Sequence, residues 1–195
     1  MRRFIFLVPV AAALLFSPAQ AESQTSPQSQ TEQSAHRSRL DELFAELKQE
    51  RNEAAARRTA GRIREEWQRS GGATADVLIQ WAHKAAGEKK FHVALDLLDQ
   101  AVTLYPNYVE SWNNRALVYL MMNDFDRAMS DLSQVLAIEP RHFGAMSGLA
   151  GVLRVTGNDE GALEIYRRML EVYPMQRSAQ RALLDLTDKK TDERL

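Results

Sequence analysis

Apolar residues return at helical spacing along most of the chain, in short stretches separated by polar breaks. In one stretch Trp112, Ala116 and Tyr119 lie at i, i+4 and i+7. Spacing of this kind predicts an amphipathic helix that buries one face. A break at 122–124, which contains Asn123 and Asp124, separates it from a second stripe with the same spacing: Phe125, Ala128, Leu132, Val135 and Leu136. The pattern therefore predicts two helices joined by a tight turn.

This helix pair recurs along the chain with a period of 34, and three sets of identical residues hold the register over three copies. They are Ala82, Ala116 and Ala150, then Ala94, Ala128 and Ala162, then Pro106, Pro140 and Pro174. Because proline cannot continue a helix, each proline closes a pair. The alanines predict close helix crossings, where a larger side chain would push the helices apart. Asp124 and Asp159 are placed to cap the second helices of their pairs.

The repeat resembles the tetratricopeptide repeat family over residues 75–176, with units at 75–108, 109–142 and 143–176. The family motif is matched in the second unit by Trp112, Ala116, Tyr119, Phe125, Ala128, Leu132 and Pro140. The third unit departs from it at Met146 and Asp159, and the first has Leu78 in place of the opening tryptophan. The resemblance implies an all-α helix–turn–helix solenoid, whose concave face is lined by the first helix of each unit.

Further helical patterns flank the three units. In residues 37–72 an apolar stripe and Ala60, which stands one period of 34 before Ala94, predict a degenerate leading repeat. The stripe consists of Leu40, Leu43, Phe44 and Leu47. Residues 177–195 are predicted to form a capping helix followed by a charged tail, since a repeat array must cover its last apolar face.

The N-terminal region has a different character from the repeats. Arg2 and Arg3 precede an apolar run that ends at Phe16, and small residues stand at Ala19 and Ala21. This pattern predicts a signal peptide over 1–21, cleaved between Ala21 and Glu22, and export, with a periplasm as the expected destination. The run is too short to span a bilayer, so no stable membrane span is expected after cleavage. Residues 22–36 are almost entirely polar and predict a disordered linker.

Composition narrows the functional classes. The 195 residues include 25 Lys and Arg against 26 Asp and Glu, for a net charge of −1. Such a balance argues against a nucleic-acid partner, which requires a basic surface. The absence of cysteine excludes disulfides, thiolate zinc sites and a cysteine nucleophile.

The residues of catalysis and metal binding show no recognisable arrangement in the sequence. The four histidines, His36, His83, His92 and His142, lack ligand spacing. His142 lies in an inter-repeat turn and is expected to face solvent, whereas His83 is expected to point into the concave face. No catalytic residue, metal site or cofactor is predicted, and the chain is expected not to be an enzyme.

The family resemblance places a candidate peptide-binding groove on the first helices. Its candidate residues are Asp76, Ile79, His83, Glu110, Asn113, Asn114, Leu117, Leu120, Gly144, Ser147, Gly148, Gly151 and Arg154. Members that clamp a peptide's terminal carboxylate use Lys, Asn and Arg at set positions. Here Ile79, Gly144 and Gly148 stand at three of them, and only Asn114 matches. Four small residues of the third unit form one stripe, which either reflects drift or allows a partner to approach closely.

These observations predict an exported scaffold or adaptor that binds a peptide or helix of a protein partner without covalent chemistry. An accessory subunit of a larger envelope-synthesis or secretion complex is the alternative. Neither the partner nor the oligomeric state follows from the sequence.

Overall fold

The computed structural model describes residues 27–69 and 72–192, and within these ranges the chain is all-α, with nine helices and no strand. The predicted fold class is thereby confirmed. The helices are α1 (Pro27–Gln49), α2 (Glu53–Gln68), α3 (Gly72–Gly87), α4 (Phe91–Leu104), α5 (Val109–Met121), α6 (Phe125–Ile138), α7 (Phe143–Val155), α8 (Asp159–Val172) and α9 (Arg177–Asp192).

The helices α3 to α8 form three consecutive pairs that stack on one another, and α9 covers α8. Ala116 and Ala128 are fully buried in the second pair, as are their counterparts in the first and third pairs. Methyl side chains thus stand at the close crossings, as the period of 34 predicts. Helix α9 takes the capping place that the sequence assigns to it.

A left-handed residue ends the first helix of each pair. Lys89, Asn123 and Gly157 have φ values of 59°, 58° and 80° and occupy equivalent positions in the three units. This conformation turns the chain sharply into the second helix. Asp124 accepts a hydrogen bond from the backbone N–H of Arg127 and caps α6, as predicted. Helix α8 is capped by Asn158 rather than by Asp159, which is the first residue inside the helix.

The leading helices α1 and α2 form a hairpin, but they do not extend the stack as a fourth repeat. Their polar contacts run to the starts of α5, α7 and α9. The Tyr108 hydroxyl donates to the backbone oxygen of Gln68, Arg141 bonds to Asp41, and Arg177 bonds to Glu53. The apolar face of the hairpin shares its core with the second and third pairs, while α3 and α4 have a separate core. The prediction of a leading repeat over 37–72 is therefore wrong in its placement. We call α1 and α2 the edge hairpin.

Helix α1 begins at Pro27, so residues 27–36 are helical and the predicted disordered linker is wrong for this segment. Proline fits the first turn of a helix, and a helix already held by Leu40 and Phe44 extends at little cost per residue. His36, at the end of the predicted linker, lies 3.4 Å from the buried carboxylate of Glu66 in α2.

The predicted signal peptide over 1–21 and the linker residues 22–26 lie outside the described residues. Within the described ranges, no helix has the length and apolar character needed to cross a lipid bilayer.

Candidate binding groove

The first helices α3, α5 and α7 follow one another along the stack and carry the candidate groove residues, which divide into exposed and enclosed groups. Asp76, His83, Leu117, Gly144, Ser147 and Arg154 are exposed. Asn113, Leu120, Gly148 and Gly151 are half-buried, and Ile79, Glu110 and Asn114 are buried. Only part of the predicted set is therefore available to a partner.

Glu110 is the centre of a buried polar cluster at the start of α5. Its two carboxylate oxygens accept hydrogen bonds from His142 Nε2 at 3.2 Å and from Asn113 Nδ2 at 2.9 Å. Asn114 Nδ2 donates to the backbone oxygen of Glu110 at 2.7 Å and lies 3.4 Å from its carboxylate. Burial alone raises the pKa of Glu110, but these hydrogen bonds outweigh it, and the pKa of Glu110 lies below its usual range.

His142 is buried, and the expectation that it faces solvent is wrong. Its Nδ1 accepts the backbone N–H of Ala145 and so caps α7, which leaves the proton on Nε2 for the bond to Glu110. The indole ring of Trp67 in the edge hairpin stacks on the face of the imidazole ring. A signal for this role lies in the sequence, since the aromatic Tyr108 stands at the equivalent position one repeat earlier and its hydroxyl also bonds to the hairpin.

His83 joins the first repeat to this cluster. Its Nε2 makes a short hydrogen bond to the side-chain oxygen of Asn114, and the other atom of that amide bonds to Glu110. The cluster thus connects α3, α5 and the start of α7 in one chain of hydrogen bonds. Its members bond to one another, so it fixes the relative positions of the first helices.

The glycines of α7 differ in their surroundings. A Cβ atom added to Gly148 would lie 3.2 Å from Cδ1 of Leu132 and 3.6 Å from Cδ1 of Leu120, whereas one added to Gly151 would meet no atom within 4 Å. Gly148 is half-buried and packs closely against the side chains of the second repeat, which accounts for the lack of a side chain at this position without a partner. Gly151 keeps the open space that a close approach requires.

Sequence reasoning missed two apolar residues on the same faces. Met121 follows Leu117 by one helical turn, and Val155 occupies the corresponding place in α7, one repeat later. The exposed fractions of Leu117, Met121 and Val155 are 47%, 54% and 69%. A surface pocket near the end of α7 is lined by Gly151, Arg154, Val155, Asp159, Tyr166, Leu186 and Lys189. The period of 34 contains the signal for both residues, because Met121 and Val155 are one period apart and each lies one turn beyond a predicted groove position.

The open part of the groove is a contact surface, and the enclosed part is a hydrogen-bonded cluster. The buried carboxylate of Glu110 is held by its hydrogen-bond donors, and no group of three or more His, Asp or Glu side chains in residues 27–69 and 72–192 is arranged to hold a metal ion. Val155, beside the open Gly151, and the exposed Leu117 and Met121 of α5 offer apolar contact area to a partner.

Comparison with known proteins identifies the repeat. Two family models of the tetratricopeptide repeat match residues 97–129 and 119–186. A TPR repeat-containing protein of Rhizobium etli is 43% identical over 191 residues, which cover 96% of this chain and 94% of that protein.

Two further similarities are confined to the repeats. The small glutamine-rich tetratricopeptide repeat-containing protein 2 of Saccharomyces cerevisiae is 27% identical over 100 residues, which cover 51% of this chain and 29% of the yeast protein. The solved structure of the first TPR of Spaghetti (RPAP3), bound to the HSP90 peptide SRMEEVD, has a TM-score of 0.57 at 24% identity and covers 60% of this chain and 96% of that one. At that identity the likeness shows the fold.

Proposed function

The chain belongs to the tetratricopeptide repeat family, and we propose that it is a non-enzymatic scaffold that binds a peptide or helix of a protein partner in the groove of its first helices. Stacked helix pairs present a long, pre-formed surface, and binding there needs little ordering of the scaffold. Burial of apolar side chains of the partner supplies the affinity, and no covalent step is involved.

The observation that carries the proposal is the apolar surface around α7. Leu117 and Met121 of α5 and Val155 of α7 are exposed, and Gly151 has open space above its backbone. A partner helix or strand that lies over Gly151 approaches the backbone of α7 closely and contacts Val155 beside it, and a partner that extends along the first helices also reaches Leu117 and Met121 of α5. Arg154 lies in the same pocket and provides a charged contact at its edge.

The partner is not held by its terminal carboxylate in this proposal. The positions at which carboxylate-clamp members carry basic side chains hold Ile79, Gly144 and Gly148 here. Asn114, which does match the clamp pattern, is buried and bonded to Glu110 and His83. An internal segment with an apolar face suits this groove better than a charged chain end.

We also propose that the protein acts after export, on the basis of the N-terminal pattern over 1–21. The mass of the protein recovered from the envelope fraction tests this. A mass that corresponds to a chain beginning at Glu22 supports export and cleavage, and a mass that retains 1–21 contradicts it.

Affinity capture with a matched pair of variants tests the binding proposal. The tagged wild-type chain and the Leu117→Lys variant are used as baits in parallel, with Leu184→Lys as the control, because Leu184 is also exposed but lies on α9. We expect a protein that the wild type and the Leu184 variant recover and the Leu117 variant loses. Equal recovery by all three baits contradicts the proposal.

A further inference from the structure

The displaced edge hairpin leaves one face of the first repeat uncovered. In the second and third repeats, the side of the first helix that faces backward along the stack is covered by the second helix of the preceding repeat. Among the described helices, α3 has no such neighbour, because α1 and α2 lie at the turns of the later repeats. Its backward side carries Val77, Trp81 and Lys84, which we call the α3 end face.

Equivalent residues of the three repeats differ in how deeply this face is buried. Trp81 corresponds to Arg115 and Leu149 in the next two repeats, and Val77 corresponds to Ser111 and Ala145. Ser111 and Ala145 are fully buried, while Val77 is 40% exposed. Trp81 is 57% exposed. Tryptophan usually buries most of its side chain, and exposed apolar surface of this kind marks interaction sites.

The contacts of Arg115 and Leu149 show which kind of side chain covers the equivalent face in the later repeats. Arg115 Nη1 bonds to Asp99 of α4 at 2.7 Å, and its side chain is only 17% exposed. Leu149 packs into the core that contains Leu132 and Val135 of α6. In the third repeat the face thus receives the apolar side of α6, and in the second repeat α4 offers an acidic side chain to a basic one.

We propose that the α3 end face is a second docking surface, separate from the groove, and that it receives an amphipathic helix of another protein. That helix presents leucine, valine and alanine to Val77 and Trp81, and an acidic side chain to Lys84, which is exposed. A large aromatic residue at the centre of such a contact is typical of the residues that dominate binding energy.

A second copy of this chain fits the face less well. Within the described residues, the second helices α4, α6 and α8 are covered by α5, α7 and α9, so no copy has one to offer. The outer sides of the edge hairpin are polar, with Asp41, Arg58 and Glu65 exposed. Pairing of two α3 end faces would also bring two copies of Lys84 into one interface.

A synthetic peptide with the sequence of residues 125–140 serves as the probe, because helix α6 covers the equivalent face of α7. The control peptide carries Leu132→Asp and Val135→Asp, which place two charges in the middle of its apolar side. Binding to the full chain is followed by tryptophan fluorescence and by titration calorimetry. We expect the first peptide to bind and the control peptide to fail.

Variants of the full chain locate the binding. We expect Trp81→Lys and, as a second variant, Val77→Lys to weaken the peptide at least tenfold, and Leu117→Lys in the groove to leave its affinity unchanged. Thermal melts of each variant confirm folding. The proposal is overturned if the peptide does not bind at millimolar concentration, if only Leu117→Lys weakens it, or if sedimentation shows a wild-type dimer that Trp81→Lys converts to a monomer.

Discussion

The indole ring of Trp67 stacks on the imidazole ring of His142, with ring centroids 4.0 Å apart and an interplanar angle of 20°. The pair joins the second helix of the edge hairpin to the turn before α7. The ring of Phe143 makes a tilted contact with the indole of Trp67 at a centroid distance of 5.0 Å, and Glu110 accepts a hydrogen bond from Nε2 of His142. The hairpin and the first helices of the groove are thus connected through one buried histidine.

Removal of the indole tests this connection. Trp67→Ala is expected to lower the free energy of unfolding by about 3–5 kcal/mol, since it leaves a large cavity beside His142. The matched control is Trp81→Ala, at an exposed tryptophan, which is expected to change it by about 0.5 kcal/mol or less. Denaturation in urea measures both, and equal losses would show that the hairpin does not depend on this stack.

Acid is expected to weaken the same connection through Glu110. The pKa of its carboxyl lies below the ordinary value of 4.5 in the folded chain, so the carboxylate stabilises the fold above that pH and the contribution is lost as the pH falls through the folded pKa. Glu110→Gln is therefore expected to be less stable than the wild type at pH 7, by a margin that shrinks below pH 4.5. A margin that stays constant down to pH 3 would contradict the assignment.

The helix crossing at Ala128 gives a test of the packing register. Ala128 is fully buried and Ser130, two residues later, is exposed. Ala128→Leu is expected to destabilise the chain by about 1–3 kcal/mol through overpacking, while Ser130→Leu is expected to have little effect. Equal melting temperatures for the two variants would show that the register of α6 is wrong.

Two glycines of α7 are expected to respond in opposite ways to the same substitution. Gly151→Ala adds a methyl group in open space and is expected to raise the free energy of unfolding by about 0.5–1 kcal/mol, because alanine favours the helix. Gly148→Ala places its Cβ 3.2 Å from Leu132, and the displacement of that side chain is expected to cancel or exceed the gain. Equal stabilisation by both would contradict the packing at Gly148.

The repeats could be predicted because a period of identical residues, such as Ala82, Ala116 and Ala150, specifies both the helices and how they stack. The place of the edge hairpin could not. A stripe such as that of Leu40 and Phe44 shows that one face of a helix is buried, but it does not show which surface buries it. Ala60 of the edge hairpin is in register with the alanines of the repeats, and the hairpin still packs against the second and third repeats and not in front of the first.

The candidate groove was predicted only in part for a related reason. Positions taken from the family give the side of a helix and not its local depth. Asn114 and Leu117 lie in the same helix and both belong to the predicted set, yet Asn114 is buried in the polar cluster and Leu117 is exposed. His142 was misjudged because a single histidine in a turn gives no sign of a tryptophan that arrives from a distant segment.

The affinity of the purified chain for the partner recovered by affinity capture tests the central proposal most directly. Titration calorimetry with the wild type and Leu117→Lys, both shown to fold by their melts, gives the ratio of the two dissociation constants. The groove proposal predicts that the variant binds at least ten times more weakly, about 1.4 kcal/mol. Equal dissociation constants for two folded proteins would show that the partner binds elsewhere and would contradict the groove as the functional site.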